Sequence, residues 1–275
     1  MSRPGLAPPV PALDPSSPPL AILVDYDGTV ALTDVSDTVM ADHVTGDWES
    51  EVAAYDAGLA GSRRLMTLEM SLVDADPAEL FATAAAQPHD AGFVPFVRQA
   101  QAAGIPVEIV SDGFGFFIEP AMAALGLPDL PIVTARTTFT GRRASIEYPN
   151  GHPRCFVCGT CKRERVLAHR AVGRRVVFVG DGESDRYAAG YADKVFAKRS
   201  LVRICLDAGW PFERFTEFRE VGAWLDATVR GWSADPRSLE RVPPGAPPPN
   251  GYFCGPEVWG EGLVDPPAGS WPPAR

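Results

Sequence analysis

Leu20-Ala21-Ile22-Leu23-Val24-Asp25-Tyr26-Asp27-Gly28-Thr29 is the stretch whose reading decides the fold. Five apolar residues run unbroken into an acid, the signature of a strand buried on both faces of a parallel sheet. Side chains along a strand repeat every second residue. Asp25 and Asp27 at its tip are therefore expected to reach one site, and Gly28 permits a tight exit. The same residues also read as an Asp-Gly turn with one capping acid.

Outward from this strand, β-type and helical runs alternate. Helices are expected over 93–103, 116–125, 162–172, 183–192, 200–208 and 217–229. Strands are expected over 107–111, 131–134, 176–179 and 194–197, with a strand pair over 137–148 turning at Thr140-Gly141. This alternation predicts an α/β protein with a parallel sheet. Between 33 and 88 only helical patterns occur, over 36–44, 48–59, 63–73 and 77–86. Such an insert, placed right after the first strand, would stand over the C-terminal edge of the sheet, where ligands bind. The expected organisation is a Pro-rich leader over 1–19, a core over 20–33 and 89–230, a helical cap over 34–88, and a Pro-rich tail over 231–275. The tail is expected to be loosely ordered, with Trp232, Trp259 and Trp271 available to pack on the body.

The 275 residues are 45% hydrophobic and 22% charged, ordinary values for a globular protein. A net charge of -10 argues against a nucleic-acid partner. It does not exclude a small anionic ligand, because a local cationic pocket fits inside an acidic protein. No apolar run approaches the ~20 residues of a membrane span, and the leader lacks the apolar segment of a secretory signal. Five cysteines, three of them clustered, do not resemble a secreted disulfide framework. A cytoplasmic protein is expected.

The chemistry sits in four short pieces. Asp25 can attack phosphorus as a nucleophile, and Asp27 can protonate the leaving oxygen and then accept a proton from water. Asp181, in Gly180-Asp181-Gly182-Glu183-Ser184-Asp185, ends a strand and would face Asp25 if the two strands are neighbours. Mg2+ takes one or two carboxylates with water and phosphate oxygens; Asp25 and Asp181 are the candidates, with Asp27 adding its backbone carbonyl. Asp185 would orient a metal-bound water or Lys162, or simply cap a helix. Lys162, Arg163 and Arg165 open a helix where the dipole disfavours cations, a conflict that a bound anion would relieve. They also read as a solvated basic run. Ser111-Asp112-Gly113 offers a hydroxyl and backbone N–H groups to phosphate oxygens, or is another turn.

His152, Cys155, Cys158 and Cys161 are spaced closely enough to suggest a zinc site, with stiffening thiols or a labile disulfide as alternatives. In the helical insert, Asp34, Asp37, Arg63, Arg64 and Glu69 are candidates to face a substrate, or to lie on a solvated helix surface. Arg63 or Arg64 would pair with a substrate carboxylate or enolate.

The four pieces, in this order, resemble the haloacid dehalogenase superfamily of phosphatases. The insert after the first motif resembles its C1-capped branch, which includes phosphoserine phosphatases. Residues 111–118 (Ser-Asp-Gly-Phe-Gly-Phe-Phe-Ile), 155–162 (Cys-Phe-Val-Cys-Gly-Thr-Cys-Lys) and 192–198 (Ala-Asp-Lys-Val-Phe-Ala-Lys) are similar to the methionine-salvage phosphatase subgroup. The resemblance covers about residues 20–229. It implies a Rossmann-like sheet under a small helical cap. It further implies Asp25 as nucleophile, Asp27 as proton donor, Ser111 and Lys162 as phosphate binders, and Mg2+ on Asp25, Asp27 and Asp181 with Asp185 close by. The implied substrate is a small phosphorylated metabolite, a methionine-salvage enol phosphate or O-phosphoserine. Asp112 departs from the small residue usual at its position. The rival reading is a non-catalytic, zinc-stabilised binding protein.

Overall fold

The structure, a computed structural model, describes residues 6–247 apart from 58 and 154. Trp259, Trp271 and Cys254 lie outside the described residues. Among those described, one sheet contains β1 (Leu20–Val24), β2 (Val107–Phe114), β3 (Ile132–Thr140), β4 (Arg143–Glu147), β5 (Arg175–Gly180), β6 (Lys194–Ala197) and β7 (Glu213–Arg214). Their order across the sheet is β4-β3-β2-β1-β5-β6-β7. All neighbours are parallel except β3 and β4. The α/β sheet is as expected, with β1 at its centre. Val24 stands opposite Ile109 on one side and Val179 on the other. The chain builds one half outward from β1 and then returns to build the other, so the strand order reverses beside β1 and a crevice opens there.

Strand alternation explains the two cores. Leu20, Ile22 and Val24 join Phe93, Phe96 and Phe218 on one face. Leu23 points the other way, into a cluster with Val166, Phe178 and Leu201. The first face is covered by α5 (Phe93–Ala102) and α10 (Phe218–Ala234), the second by α7 (Lys162–Ala171) and α9 (Arg199–Ala208). Each fully buried apolar side chain of this kind contributes about 1.5–3 kcal/mol.

The insert holds α1 (Val35–His43), α2 (Glu49–Asp56), α3 (Ser62–Leu72) and α4 (Pro77–Ala85). Two starts are set by acids: Asp34 accepts from the Asp37 N–H at 2.9 Å, and Asp76 from the Ala78 N–H at 3.0 Å. The insert is tied to the β3–β4 hairpin where Asp74 pairs with Arg142 and Arg143, each at 3.0 Å.

Several boundaries differ from the sequence reading. β2 does not stop at Ser111 but continues to Phe114 through a bulge, Val110 pairing with Val133 and Phe114 with Ala135. β3 is one strand across the expected break at 135–136. α6 (Gly115–Ala124) follows β2 directly. The helix expected over 183–192 is a 3-10 turn, Glu183–Asp185, followed by the short α8 (Arg186–Ala189). The cause is the Asp185 carboxylate, which turns back to accept the N–H groups of Asp181 (2.7 Å) and Gly182 (3.0 Å).

Both ends are more engaged than their proline content suggested. Arg174 donates to the carbonyls of Pro11 and Ala12 at 2.7 and 2.8 Å. From 231 to 247, expected to be loose, the chain completes α10 and a 3-10 turn (Pro236–Arg241), and Gly245 N–H then donates to Asp193 at 2.6 Å. Trp232 packs against the first core. No helix among the described residues is long and apolar enough to cross a membrane.

Candidate active site

The C-terminal tips of β1, β2 and β5 meet the insert around a cleft of about 390 Å³. Asp25 leaves β1 with its backbone N–H still donating to Val179 at 2.9 Å. Its Oδ1 accepts from the Tyr26 N–H (2.8 Å) and the Lys162 ammonium (2.8 Å). Asp181 follows β5 on the neighbouring strand. Ligand oxygens of Asp25, Asp181 and Asp185 all lie within 4.8 Å of one another. Gly28 makes this approach possible: its φ is +65°, and a Cβ there would sit 2.1 Å from Asp181 Oδ2.

Lys162 starts α7 and is 2% exposed. Its ammonium also donates to Asp185 Oδ1 at 2.7 Å and Ser184 Oγ at 2.8 Å. The basic run is therefore not a solvated surface. Arg163 is buried, and Arg165 makes a two-pronged contact with Glu108 at 2.5 and 2.7 Å on a different face.

The β2 bulge carries Ser111, Asp112 and Gly113 to the cleft. Ser111 Oγ accepts from the Gly113 N–H at 2.8 Å. Asp112 has its carboxylate committed: it accepts from Ser62 Oγ at 2.7 Å, at the start of α3, and from the Thr160 N–H. Asp27 stands apart from the three-acid group. It accepts from the Val35 N–H at 2.9 Å and Ser36 Oγ at 3.3 Å, and Gly113 lies against it.

The charges do not balance as they stand. Burial pushes the Asp25 carboxyl well above its ordinary value, and Asp185 adds to this while Lys162 opposes it. Burial and then Asp34 raise Asp27; burial and then Asp185 raise Asp181 to about 7. Burial pulls the Lys162 ammonium down, but Asp185, Asp25 and Asp112 outweigh it and raise its pKa. The Lys162 ammonium, with the Arg199 guanidinium 3.4 Å from Asp181, thus faces three gathered carboxylates. A divalent cation relieves that excess, and a purely carboxylate donor set suits Mg2+ and not a thiophilic metal.

The proposed zinc ligands do not come together. The acidic group is the only set of three or more possible metal ligands gathered among the described residues. His152 Nδ1 accepts from the Cys155 N–H at 3.1 Å, and burial raises the Cys161 thiol to about 12. The loop instead seats the insert: Val157 accepts from the Arg63 N–H at 3.1 Å, and Gly61 packs on the same carbonyl.

Asp34, Asp37 and Glu69 line the insert side of the cleft, beside Val52, Tyr55 and Met66. Arg63 and Arg64 do not join them. Arg63 lies over the Tyr148 ring at 4.7 Å, and Arg64 pairs with Glu51 at 2.6 Å.

A family of known proteins matches this arrangement: the profile of the haloacid dehalogenase-like hydrolases fits residues 22–190. The chain belongs to that family. A similar hydrolase, the 2-hydroxy-3-keto-5-methylthiopentenyl-1-phosphate phosphatase of Brevibacillus brevis, is 27% identical over 213 residues, covering 74% of this chain and 93% of the relative. The protein of the same name from Geobacillus kaustophilus is 30% identical over 219 residues, covering 77% and 96%. Among solved structures, a substrate-bound phosphoserine phosphatase aligns with a TM-score of 0.57 at 18% identity, over 74% of this chain and 97% of that one. That likeness is one of fold.

Two contributors to this hydrolase's site escaped the sequence reading. Arg199 reaches Asp181 Oδ2 at 3.4 Å and the Leu32 carbonyl at 2.6 Å. It has a φ of +48°, a strained backbone for a non-glycine residue that is visible only in three dimensions. Tyr55 sits in a helix whose pattern shows no strong apolar face, so nothing marked it.

Proposed function

We propose that this hydrolase is a Mg2+-dependent phosphomonoesterase that acts on a small metabolite through an aspartyl-phosphate on Asp25. The observation that carries this reading is Asp25 itself, held at a strand tip by Lys162 with Asp181 and Asp185 alongside. Oδ1 of Asp25 is held by two donors, which leaves Oδ2 to attack phosphorus. As the Asp25–phosphorus bond forms, the bond to the leaving oxygen breaks, and Asp27 delivers its proton to that oxygen. The raised pKa of Asp27 suits a group that starts protonated. Water then attacks the phosphorus and loses a proton to Asp27, and inorganic phosphate departs with Asp25 restored.

Ser111 and Lys162 hold the phosphate oxygens, and Lys162 supplies fixed positive charge where negative charge accumulates. Asp25, Asp181 and Asp185, with the Asp27 backbone, would hold the Mg2+. When bound, the ion screens the phosphate from these carboxylates.

For the leaving group, the relatives' names favour a methionine-salvage enol phosphate. The Val52, Leu65 and Met66 side of the cleft suits a thioether tail. Phosphoserine is less well served, because Arg63 and Arg64 are committed elsewhere and no insert arginine lines the cleft to receive its carboxylate. The test is phosphate release from the enol phosphate, O-phosphoserine and p-nitrophenyl phosphate, with Mg2+ and with chelator. Turnover of the enol phosphate that needs Mg2+ is expected; negligible release from all three would refute the reading.

A further inference from the structure

Two cations stand beside the three gathered carboxylates, and they are held differently. The Lys162 side chain is 1% exposed and reaches Asp25 at 2.8 Å and Asp185 at 2.7 Å. The Arg199 side chain is 48% exposed, and its guanidinium comes only to 3.4 Å from Asp181 Oδ2. Drawing off Lys162 would strand buried charge. Arg199 has water beside it, so its pairing with Asp181 costs little to break. The mechanism above gives Arg199 no task.

The backbone nevertheless strains to place it there. Where β6 turns into α9, the chain grips Asp181 at both ends. The Leu201 N–H (2.8 Å) and Ser200 Oγ (3.3 Å) donate to its carbonyl, while Arg199 covers its carboxylate. The φ of Arg199, +48°, is the one positive value outside glycine among the described residues. Such strain persists only where the surroundings hold it. Here it aims the guanidinium across Gly28, where a Cβ would lie 2.6 Å from Nη1. Nη2 donates to the Leu32 carbonyl at 2.6 Å, which steadies the planar fork.

We propose that Arg199 is a resident counter-ion: it holds the Asp181 carboxylate in the metal-free enzyme, competes with the divalent cation for it, and so sets the concentration at which the site fills. The inference rests on the reading above that Asp181 is a metal ligand. Two effects act in one direction. The arriving ion must take a carboxylate that the guanidinium already shares, and the guanidinium's charge, still nearby, repels a doubly charged ion. Both vanish with the charge at position 199. An arginine that merely shaped the loop leads to the opposite expectation, since its loss would loosen Asp181 and weaken metal binding.

The test is calorimetric titration of Mg2+ into full-length, metal-free protein at pH 8, with no substrate present. Arg199→Asn removes the charge and is well tolerated at positive φ. It should bind Mg2+ about tenfold more tightly than the wild type. Arg199→Lys keeps the charge and should stay within about threefold of the wild type. Unchanged or weaker binding by Arg199→Asn overturns the counter-ion. So does an Arg199→Lys variant that tightens as much as Arg199→Asn, which would credit the backbone and not the charge. Should Arg199→Asn fail to fold, Arg199→Gly, which relieves the strained φ, takes its place with the same expectation. A wild type that binds no Mg2+ defeats the metal reading and the counter-ion with it. A wild type that binds Mg2+, with variants out of the expected order, defeats the counter-ion alone.

Discussion

The two sides of the cleft follow opposite rules. On the floor, polar groups satisfy one another: Lys162 reaches Asp25, Asp185 and Ser184, and Asp185 also takes two backbone N–H groups. On the insert wall, Glu69 makes no hydrogen bond or ion pair among the described residues, while Asp34 caps α1 and lines the same space as Asp37. In the reading proposed above, the floor is where a phosphate would be held. Substitutions on the two sides should therefore differ in kind.

The largest effect is expected on the floor. Asp25→Asn should lower kcat at least about a thousandfold while circular dichroism stays native, because the attacking oxygen is removed. Retention of full turnover would break the contrast at once. Lys162→Met should cost about 3–5 kcal/mol of stability in metal-free urea denaturation at neutral pH, since it strands buried carboxylates. Millimolar Mg2+ should raise the melting temperature of the wild type through binding to the native state alone, and Asp181→Asn should blunt that rise.

The wall should respond with the opposite sign. The folded-state pKa of Glu69, about 8, lies above its reference value of 4.5. Between those values the unfolded chain gives up its proton while the folded chain keeps it, so this group's contribution to stability falls as pH rises. Glu69→Gln should therefore match wild-type stability near pH 4 and exceed it by about 1–3 kcal/mol at pH 8. Urea midpoints taken across that range check it. A variant less stable at pH 8 would show that Glu69 has a structural partner.

Much of this was legible in the chain. The apolar run into Asp25 and the runs into Ser111 and Asp181 place three groups at one sheet edge by strand periodicity alone, and the helical patterns over 36–86 anticipated the insert. What hid was set by long-range geometry. The bulge in β2 was invisible because Asp112-Gly113 reads locally as a turn, while pairing with β3 carries the strand onward. The break after Asp185 arises from its own side chain competing for backbone N–H groups. The cysteine spacing suggested zinc, but the loop spends its backbone on seating α3. The tie between Glu108 and the pair Arg165 and His169 spans β2 and α7, so no local pattern announced it.

Ser111 and Asp112 are consecutive residues with different allegiances, one accepting from the Gly113 N–H beside the cleft and the other gripping Ser62 and Thr160. Any swing of the roof that draws Ser62 away must pull on the peptide next to Ser111. The seating of the insert and the placement of Ser111 are thereby yoked through a single bond in the chain.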